Sequence, residues 1–387
     1  MTVYDAIVIG GGIAGISTAY NLVCQGAKTL LFDRRDVGRA TDAGAGIISP
    51  YTAITIPYRT EAQYHFTVKA ADYYPQLIEQ LGAKQAGSTI YAECGILLVA
   101  VSDDELEPFE QARRKICQQL EQQGLSPESN LRLLCVKEAR ELFPTLGETK
   151  AAMFCPKAAQ VDGRDLSQAL YQAAEKQGLT VKDAGVEKLI IENQAVKGVV
   201  ANGDTFFADK VAIAGGAWSP EFEEQCGVRI PVEPERGQII HLTLPNVDTA
   251  NKPIVSSFRH HSYVLSWPDS RIVVGATREK GTGFNSHSTV AGIHEILGDA
   301  LRVAPGLTDA SLKEVRTGLR PIPADEMPIL GTVPYLNNLY LATGLGHSGL
   351  SIGPYVGKVV ADTILGKEIE TDIEAFNVKR FNYSHPK

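Results

Sequence analysis

The first 33 residues carry two kinds of apolar pattern. Tyr4 to Ile9 (YDAIVI) is a short β-branched run ending in glycines, the pattern of a strand buried on both faces. Ile13 to Val23 follows helical spacing, and Lys28 to Phe32 (KTLLF) is a second apolar run closed by Asp33. Together they predict one βαβ unit.

After Pro50 the pattern changes. Glu61 to Leu81 is amphipathic, with Tyr74, Leu77, Ile78 and Leu81 on one helical face, and a strand follows from Gly95. Leu166 to Gln177 predicts a helix, Thr180 to Val186 a strand, and Lys210 to Ala214 a strand running into Gly215 and Gly216, so the first unit resumes. Pro231 to Val315 returns to alternating strands, with an amphipathic helix near Ile293 to Leu301 that Pro305 stops. Leu339 to Ala342, a glycine loop and a helix from about Pro354 to Leu365 repeat the strand-loop-helix order; proline is read here as a first-turn residue. The expected architecture is α/β: a Rossmann-like domain with a parallel sheet (1–50, 151–220 and 320–370) is interleaved with an α+β domain on a mixed or antiparallel sheet (51–150 and 221–319). Residues 371–387 follow as a tail.

With 387 residues, 44% hydrophobic and 21% charged, the chain suits two packed domains. A formal charge of -8 without a basic stripe argues against a nucleic-acid partner. The six cysteines show no metal-ligand spacing and no disulfide framework, which fits a reducing, cytoplasmic setting and no metal. Ala6 to Val23 has no basic flank and is broken by glycines, so no transmembrane segment is expected. A homo-oligomer is compatible with the sequence.

Gly10, Gly12 and Gly15 form GxGxxG between a strand and a helix, and Asp33 ends the next strand. Gly10 permits the tight turn, Gly12 lets backbone N–H groups approach a pyrophosphate at the helix N-terminus, and Gly15 allows close helix–strand packing. Asp33 would accept hydrogen bonds from ribose hydroxyls. The fingerprint suits FAD and NAD alike.

Seven segments together resemble the D-amino-acid oxidase and dehydrogenase family, closest in pattern to glycine oxidase, D-amino-acid dehydrogenases and sarcosine oxidases. They are GGGIAG (Gly10 to Gly15), ATDAGAGII (Ala40 to Ile48), VAIAGGAWS (Val211 to Ser219), RGQ (Arg236 to Gln238), RIVVGAT (Arg271 to Thr277), GLRPIPADEMPILG (Gly318 to Gly331) and ATGLGHSGLSIGP (Ala342 to Pro354). The resemblance implies noncovalent FAD, with Ile13 and Ala14 at the pyrophosphate and Asp33 and Arg34 at the adenosine. Ala40, Thr41, Ala45, Gly46 and Ile47 would meet the ribityl and isoalloxazine region, although Ala43 to Gly46 also fit a plain tight turn. Val186 would meet the adenine, and Gly215 to Trp218 would close over the pyrophosphate. Leu345, Gly346, His347, Ser348, Gly349, Leu350 and Ser351 would line the flavin's pyrimidine edge, where a helix N-terminus suits negative charge.

The resemblance also assigns the chemistry. Arg320 would hold a substrate carboxylate by a two-pronged hydrogen bond, and Tyr263 would support the carboxylate or the amine, a core role for Tyr263 remaining open. His347 stands where glycine oxidase has a second arginine, and Arg278 replaces a small or apolar residue. His347 would place substrate or solvent, or be a satisfied loop histidine; Arg278 would meet a second anionic group or solvent. His260 and His261 are equally ambiguous. The implied reaction is hydride transfer from the alpha carbon of a small amino acid or N-alkyl amino acid to FAD, with oxygen or an electron carrier as acceptor. A 2-hydroxy acid or glycerol phosphate is the alternative substrate.

Overall fold

The computed structural model describes residues 3–50, 59–83, 90–245, 247–260 and 262–381. The elements that place the site are, in chain order, β1 (Val3–Ile9), α1 (Ile13–Cys24), β2 (Thr29–Phe32), β3 (Asp204–Ile213) and β4 (Val232–Thr243). They continue with β5 (Tyr263–Ser266), β6 (Arg271–Gly275), β7 (Ser311–Pro323), β8 (Leu339–Thr343) and α2 (Gly349–Ile364).

β1 lies between β3 and β2, parallel to both, and β8 pairs parallel with β3. Ala6 to Ile9 are all buried, because the alternation of a strand sends its residues to two covered faces. Ala6 and Val8 pack with α1 and α2, while Ile7 and Ile9 pack with Leu189, Val196, Val199 and Phe222 on the other side. The helices cross closely: a Cβ at Gly357 would meet Ser17 and the backbone nitrogen of Thr18.

The second sheet is mixed and mostly antiparallel, in the order β7, β4, β6, β5, 254–257, 96–100, 151–155, 132–134. Ile254–Ser257 pairs parallel with Ile96–Ala100. Strand Ala151–Cys155, grouped by its sequence with the first domain, pairs here with Ile96–Ala100. Phe109, Ala112, Ile116 and Leu120 of one helix cover one face of this sheet, and Ile296, Ala300 and Val303 of another cover the opposite face. A small third sheet joins Ile47–Ile48 and Tyr91–Glu93 to Ala159–Val161.

The two large layers are tied where their chains cross. Asp162, which caps the helix Gly163–Lys176, accepts a hydrogen bond from Arg271 of β6 at 2.5 Å. Leu319 N–H of β7 donates to Gly38 O at 2.8 Å. In the tail, Phe376 and Val378 are buried against the first layer.

One boundary departs from its sequence pattern. α2 starts at Gly349 after a tight turn, so Pro354 lies inside the helix. Proline lacks the N–H that would bond to Leu350 O, and the Tyr74 hydroxyl donates to that carbonyl instead. The substitute partner lets the helix begin five residues earlier than proline alone suggests, at the edge of the site.

Candidate active site

A cavity of 270 Å³ runs along the C-terminal ends of the parallel strands and over the antiparallel sheet. One end is lined by Phe32, Asp33, Arg34 and Val186, the other by Tyr263, Arg278, Arg320 and His347. Gly10, Gly12, Ile13, Ala14, Ala40, Thr41, Ala45, Gly46, Ile47, Gly215, Trp218, Leu345, Gly346, Gly349, Leu350 and Ser351 line the stretch between them.

The glycines of the fingerprint differ in what surrounds them. Gly10 has φ +100°, a left-handed conformation that favours glycine. A Cβ at Gly15 would fall on the carbonyl oxygen of Gly10, so Gly15 packs helix against strand and does not line the cavity. A Cβ at Gly12 would meet nothing nearer than Thr41 Oγ1 at 3.5 Å, so the backbone there opens on the cavity. Neither α1 nor α2 has an acidic residue in its first turn, which leaves both positive dipole ends without a local counter-charge. These features fit an extended dinucleotide carrying a pyrophosphate at one helix N-terminus and an electron-rich ring near the other.

Asp33 is buried and held from three sides. Its Oδ2 accepts from Arg39 Nη1 at 2.9 Å and from the Tyr171 hydroxyl at 3.2 Å, and its Oδ1 from Arg35 N at 3.3 Å. Arg39 Nη2 and the Tyr171 hydroxyl also donate to Gly11 O, locking the acid to the glycine loop. Arg34 is gripped by both oxygens of Glu221, at 2.8 and 2.9 Å.

At the far end the second sheet supplies the polar heads. β4 and β7 pair so that Glu235 lies opposite Arg320 and Gly237 opposite Gly318. Arg320 Nη1 donates to Glu235 Oε1 at 3.0 Å and to Thr277 O at 2.9 Å, so part of the guanidinium is fixed while its remaining N–H groups have no partner among the described residues. Glycine is needed two residues from Glu235, because a Cβ at Gly237 would overlap the guanidinium. Likewise a Cβ at Gly275 would lie 2.6 Å from the Tyr263 hydroxyl. Burial, opposed by the charges of Arg320 and Arg278, pushes the Tyr263 phenol up to about 12, so it is a neutral donor at physiological pH.

Glu235 is 2% exposed, and its second oxygen has no hydrogen-bond partner among the described residues. Burial pushes its carboxyl up, but the hydrogen bond from His347 and the charges around it, Arg320 and Arg278 included, outweigh that and hold it below the usual range. His347 Nε2 lies 2.8 Å from Glu235 Oε1, and a carboxylate can only accept, so Nε2 carries the proton. Burial pushes His347 below its ordinary value despite Glu235. The pair is a carboxylate and a neutral imidazole whose Nδ1 is a bare acceptor.

Two expected residues lie elsewhere, and one falls outside the described residues. Ser348 faces away from the cavity and accepts a hydrogen bond from Arg59 Nη2, because the turn before α2 rotates it off the lining side. His260 is an exposed partner of Asp299 at 2.8 Å. His261 lies outside the described residues. Glu235, Arg39 and Tyr171 belong to the site without having stood out in the sequence. For Glu235 a signal existed, since it sits two residues before the glycine of RGQ on a strand whose alternate residues share a face.

A dinucleotide cradle that opens onto an arginine, a neutral phenol and a neutral imidazole defines a dinucleotide-dependent oxidoreductase. A family model described as FAD dependent oxidoreductase matches residues 5–363, and the chain belongs to that family, with FAD as its cofactor. It is 36% identical to oxidoreductase YurR of Bacillus subtilis (strain 168), over 96% of this chain and 97% of that one. It is 28% identical to the glycine oxidase of Bacillus licheniformis, over 99% of each chain. The crystal structure of iminodiacetate oxidase from Chelativorans sp. BNC1 superposes with a TM-score of 0.89 at 35% identity, covering 96% of this chain and 98% of that one.

Proposed function

We propose that this oxidoreductase acts on a small amino acid or N-alkyl amino acid, whose carboxylate is held by Arg320. The observation that carries the reading is the Arg320 guanidinium, anchored on one side by Glu235 and Thr277 O and lining the cavity beside Tyr263. Likeness to proteins named glycine oxidase and iminodiacetate oxidase supports an amine substrate over a 2-hydroxy acid.

FAD, bound without a covalent link, supplies the acceptor for a hydride from the alpha carbon, the imine then hydrolysing to an oxo acid, with oxygen or an electron carrier as final acceptor. The chain's own residues bind and orient. The remaining N–H groups of Arg320 match a carboxylate fork and fix the alpha carbon relative to the cofactor. The Tyr263 hydroxyl donates a hydrogen bond to the same carboxylate. His347 Nδ1, held bare by the Nε2–H bond to Glu235, accepts a hydrogen bond from the amine. Asp33 and Arg34 take the adenosine end, Val186 the adenine, and Gly12, Ala14 and Gly215 to Trp218 the pyrophosphate. Ala40 to Ile47 and Leu345 to Ser351, Ser348 excepted, flank the flavin end.

We further assign residues 1–50, 159–220 and 320–370 to the FAD domain and the strand Ala151–Cys155 to the substrate domain. The six unpaired cysteines suit a reducing compartment such as the cytoplasm. Acid precipitation should release FAD into the supernatant. Anaerobic mixing with glycine, N-methylglycine, D- and L-amino acids and 2-hydroxy acids should bleach the flavin with amines. Bleaching by 2-hydroxy acids or glycerol phosphate alone overturns the reading.

A further inference from the structure

Arg278 follows β6 in a stretch whose neighbours are both anchored. Thr277 is 1% exposed, with its Oγ1 accepting from Gln238 N at 3.0 Å and donating to Glu279 Oε1 at 2.8 Å. Glu279 accepts from Arg236 Nη2 at 2.6 Å, and the backbones of Arg236 and Glu279 exchange two hydrogen bonds. With Thr277 and Glu279 turned towards β4, alternation sends Arg278 to the opposite side, and there it lines the cavity with Tyr263, Arg320 and His347.

Arg278 is an exposed residue at the open side of the cavity, and among the described residues it has neither a hydrogen bond nor an ion pair. The neighbouring cation Lys280, in contrast, reaches Glu326. The nearby carboxylates already carry other partners. Glu235 is shared between Arg320 and His347, and Glu279 is taken by Arg236, Gln238 and Thr277. Arg320 and Arg278 both act on Tyr263, Glu235 and His347, so two guanidinium charges bear on one small volume against one carboxylate. A substrate with a single carboxylate satisfies Arg320 and leaves Arg278 unmatched.

We propose that the substrate is an amine carrying two anionic groups, an N-(carboxyalkyl) amino acid, with one carboxylate on Arg320 and the second on Arg278. The inference rests on the amine-oxidising reading above. The alpha C–H bond breaks, its electron pair leaves as hydride to FAD, and the N–H proton passes to solvent. Water then adds to the imine carbon and the C–N bond breaks, giving an oxo acid and a smaller amino acid.

The holoenzyme is titrated with glutarate and butyrate, a non-oxidisable pair differing by one carboxylate, while the flavin absorbance is followed. Anaerobic reduction is measured in parallel with iminodiacetate and N-methylglycine, which differ in the same way. The wild type should favour the dicarboxylate by about 10- to 50-fold in each pair, a charge-assisted contact at a site still open to water. Arg278→Ala should remove most of that preference and Arg278→Lys part of it, whereas Lys280→Ala should keep it, excluding a mere field effect. Arg278→Gln serves should the alanine variant lose FAD. Equal affinity for both acids in the wild type, or a preference that survives Arg278→Ala, overturns the proposal. If the preference for glutarate depends on Arg278 but no amine bleaches the flavin, the dianion site stands and the amine reading falls.

Discussion

Replacing Arg320 by alanine separates two roles that its geometry combines. One is towards substrate: a guanidinium lost from a hydrogen-bonded charge pair with little solvent costs roughly 2 to 5 kcal/mol. The side chain is 17% exposed and part of its fork is spent on Glu235 and Thr277 O, so the lower half of that range applies. The rate constant for flavin reduction divided by the substrate dissociation constant should fall by about 100-fold. The other role is towards Glu235, which keeps only His347 when Arg320 is gone. A stranded buried carboxylate should lower stability by about 2 to 3 kcal/mol, softened because loss of the Arg320 charge lets His347 take a proton more readily. Adding Glu235→Gln to Arg320→Ala removes the stranded charge, so stability should return while the rate does not. Anaerobic stopped-flow reduction and urea unfolding measure the two effects separately. A normal rate in Arg320→Ala, or a rate restored by Glu235→Gln, would make Arg320 a counter-ion to Glu235 and refute its role as substrate anchor.

Two further predictions follow from the same geometry. Gly12→Val should fold yet lack FAD, since the protein around it is open, whereas Gly15→Val should lower the melting temperature through its clash with Gly10 O; flavin content beside a circular-dichroism melt tests this, and stoichiometric FAD in Gly12→Val contradicts it. Burial, with the charges of Arg316 and Arg271, pushes the His241 imidazole down to about 4, so its contribution to stability is whole above pH 6.5 and declines as the pH falls towards 4, where the unfolded chain takes up a proton that the folded chain does not. At about 1.4 kcal/mol per pH unit the loss approaches roughly 3 kcal/mol; His241→Leu should flatten that part of the unfolding-free-energy profile, and an unchanged profile would refute the assignment.

The parts of the site legible in the sequence are those whose chemistry is local. Gly10, Gly12 and Gly15 act within one turn, and Asp33 is placed by the strand that follows, so their spacing alone identifies a dinucleotide cradle. The strand position of Glu235 was legible beside RGQ but its role was not, because its partners Arg320 and His347 lie 85 and 112 residues away, the first brought in by pairing of β4 with β7 and the second by the turn before α2. Tyr171 reaches Asp33 across 138 residues in the same way. The start of α2 was misread for the opposite reason: proline's local meaning is clear, but a hydroxyl 276 residues away, on Tyr74, takes over the carbonyl that Pro354 leaves free. Ser348 lies in the same misread turn, so its side chain falls on the wrong side of the loop.

Interleaving of the two layers also explains how Arg320 on one sheet holds its position relative to the dinucleotide cradle on the other. Arg320 is on β7, and the residue before it, Leu319, donates its N–H to Gly38 O in the segment after β2. Gly318, one residue earlier, approaches Ala40 and Ala43 so closely that a Cβ would lie 3.1 Å from the Ala40 Cα and 2.9 Å from the Ala43 Cβ. The backbone that carries Arg320 is therefore docked on the backbone of Ala40 and Ala43, which line the cavity, with no flexible side chain between them. Hydride transfer demands this, because a misplacement of about 1 Å between reacting atoms costs on the order of 100-fold in rate. Domains joined in series by a linker would have to recover that register at each closure, whereas here the covalent path through β7 supplies it.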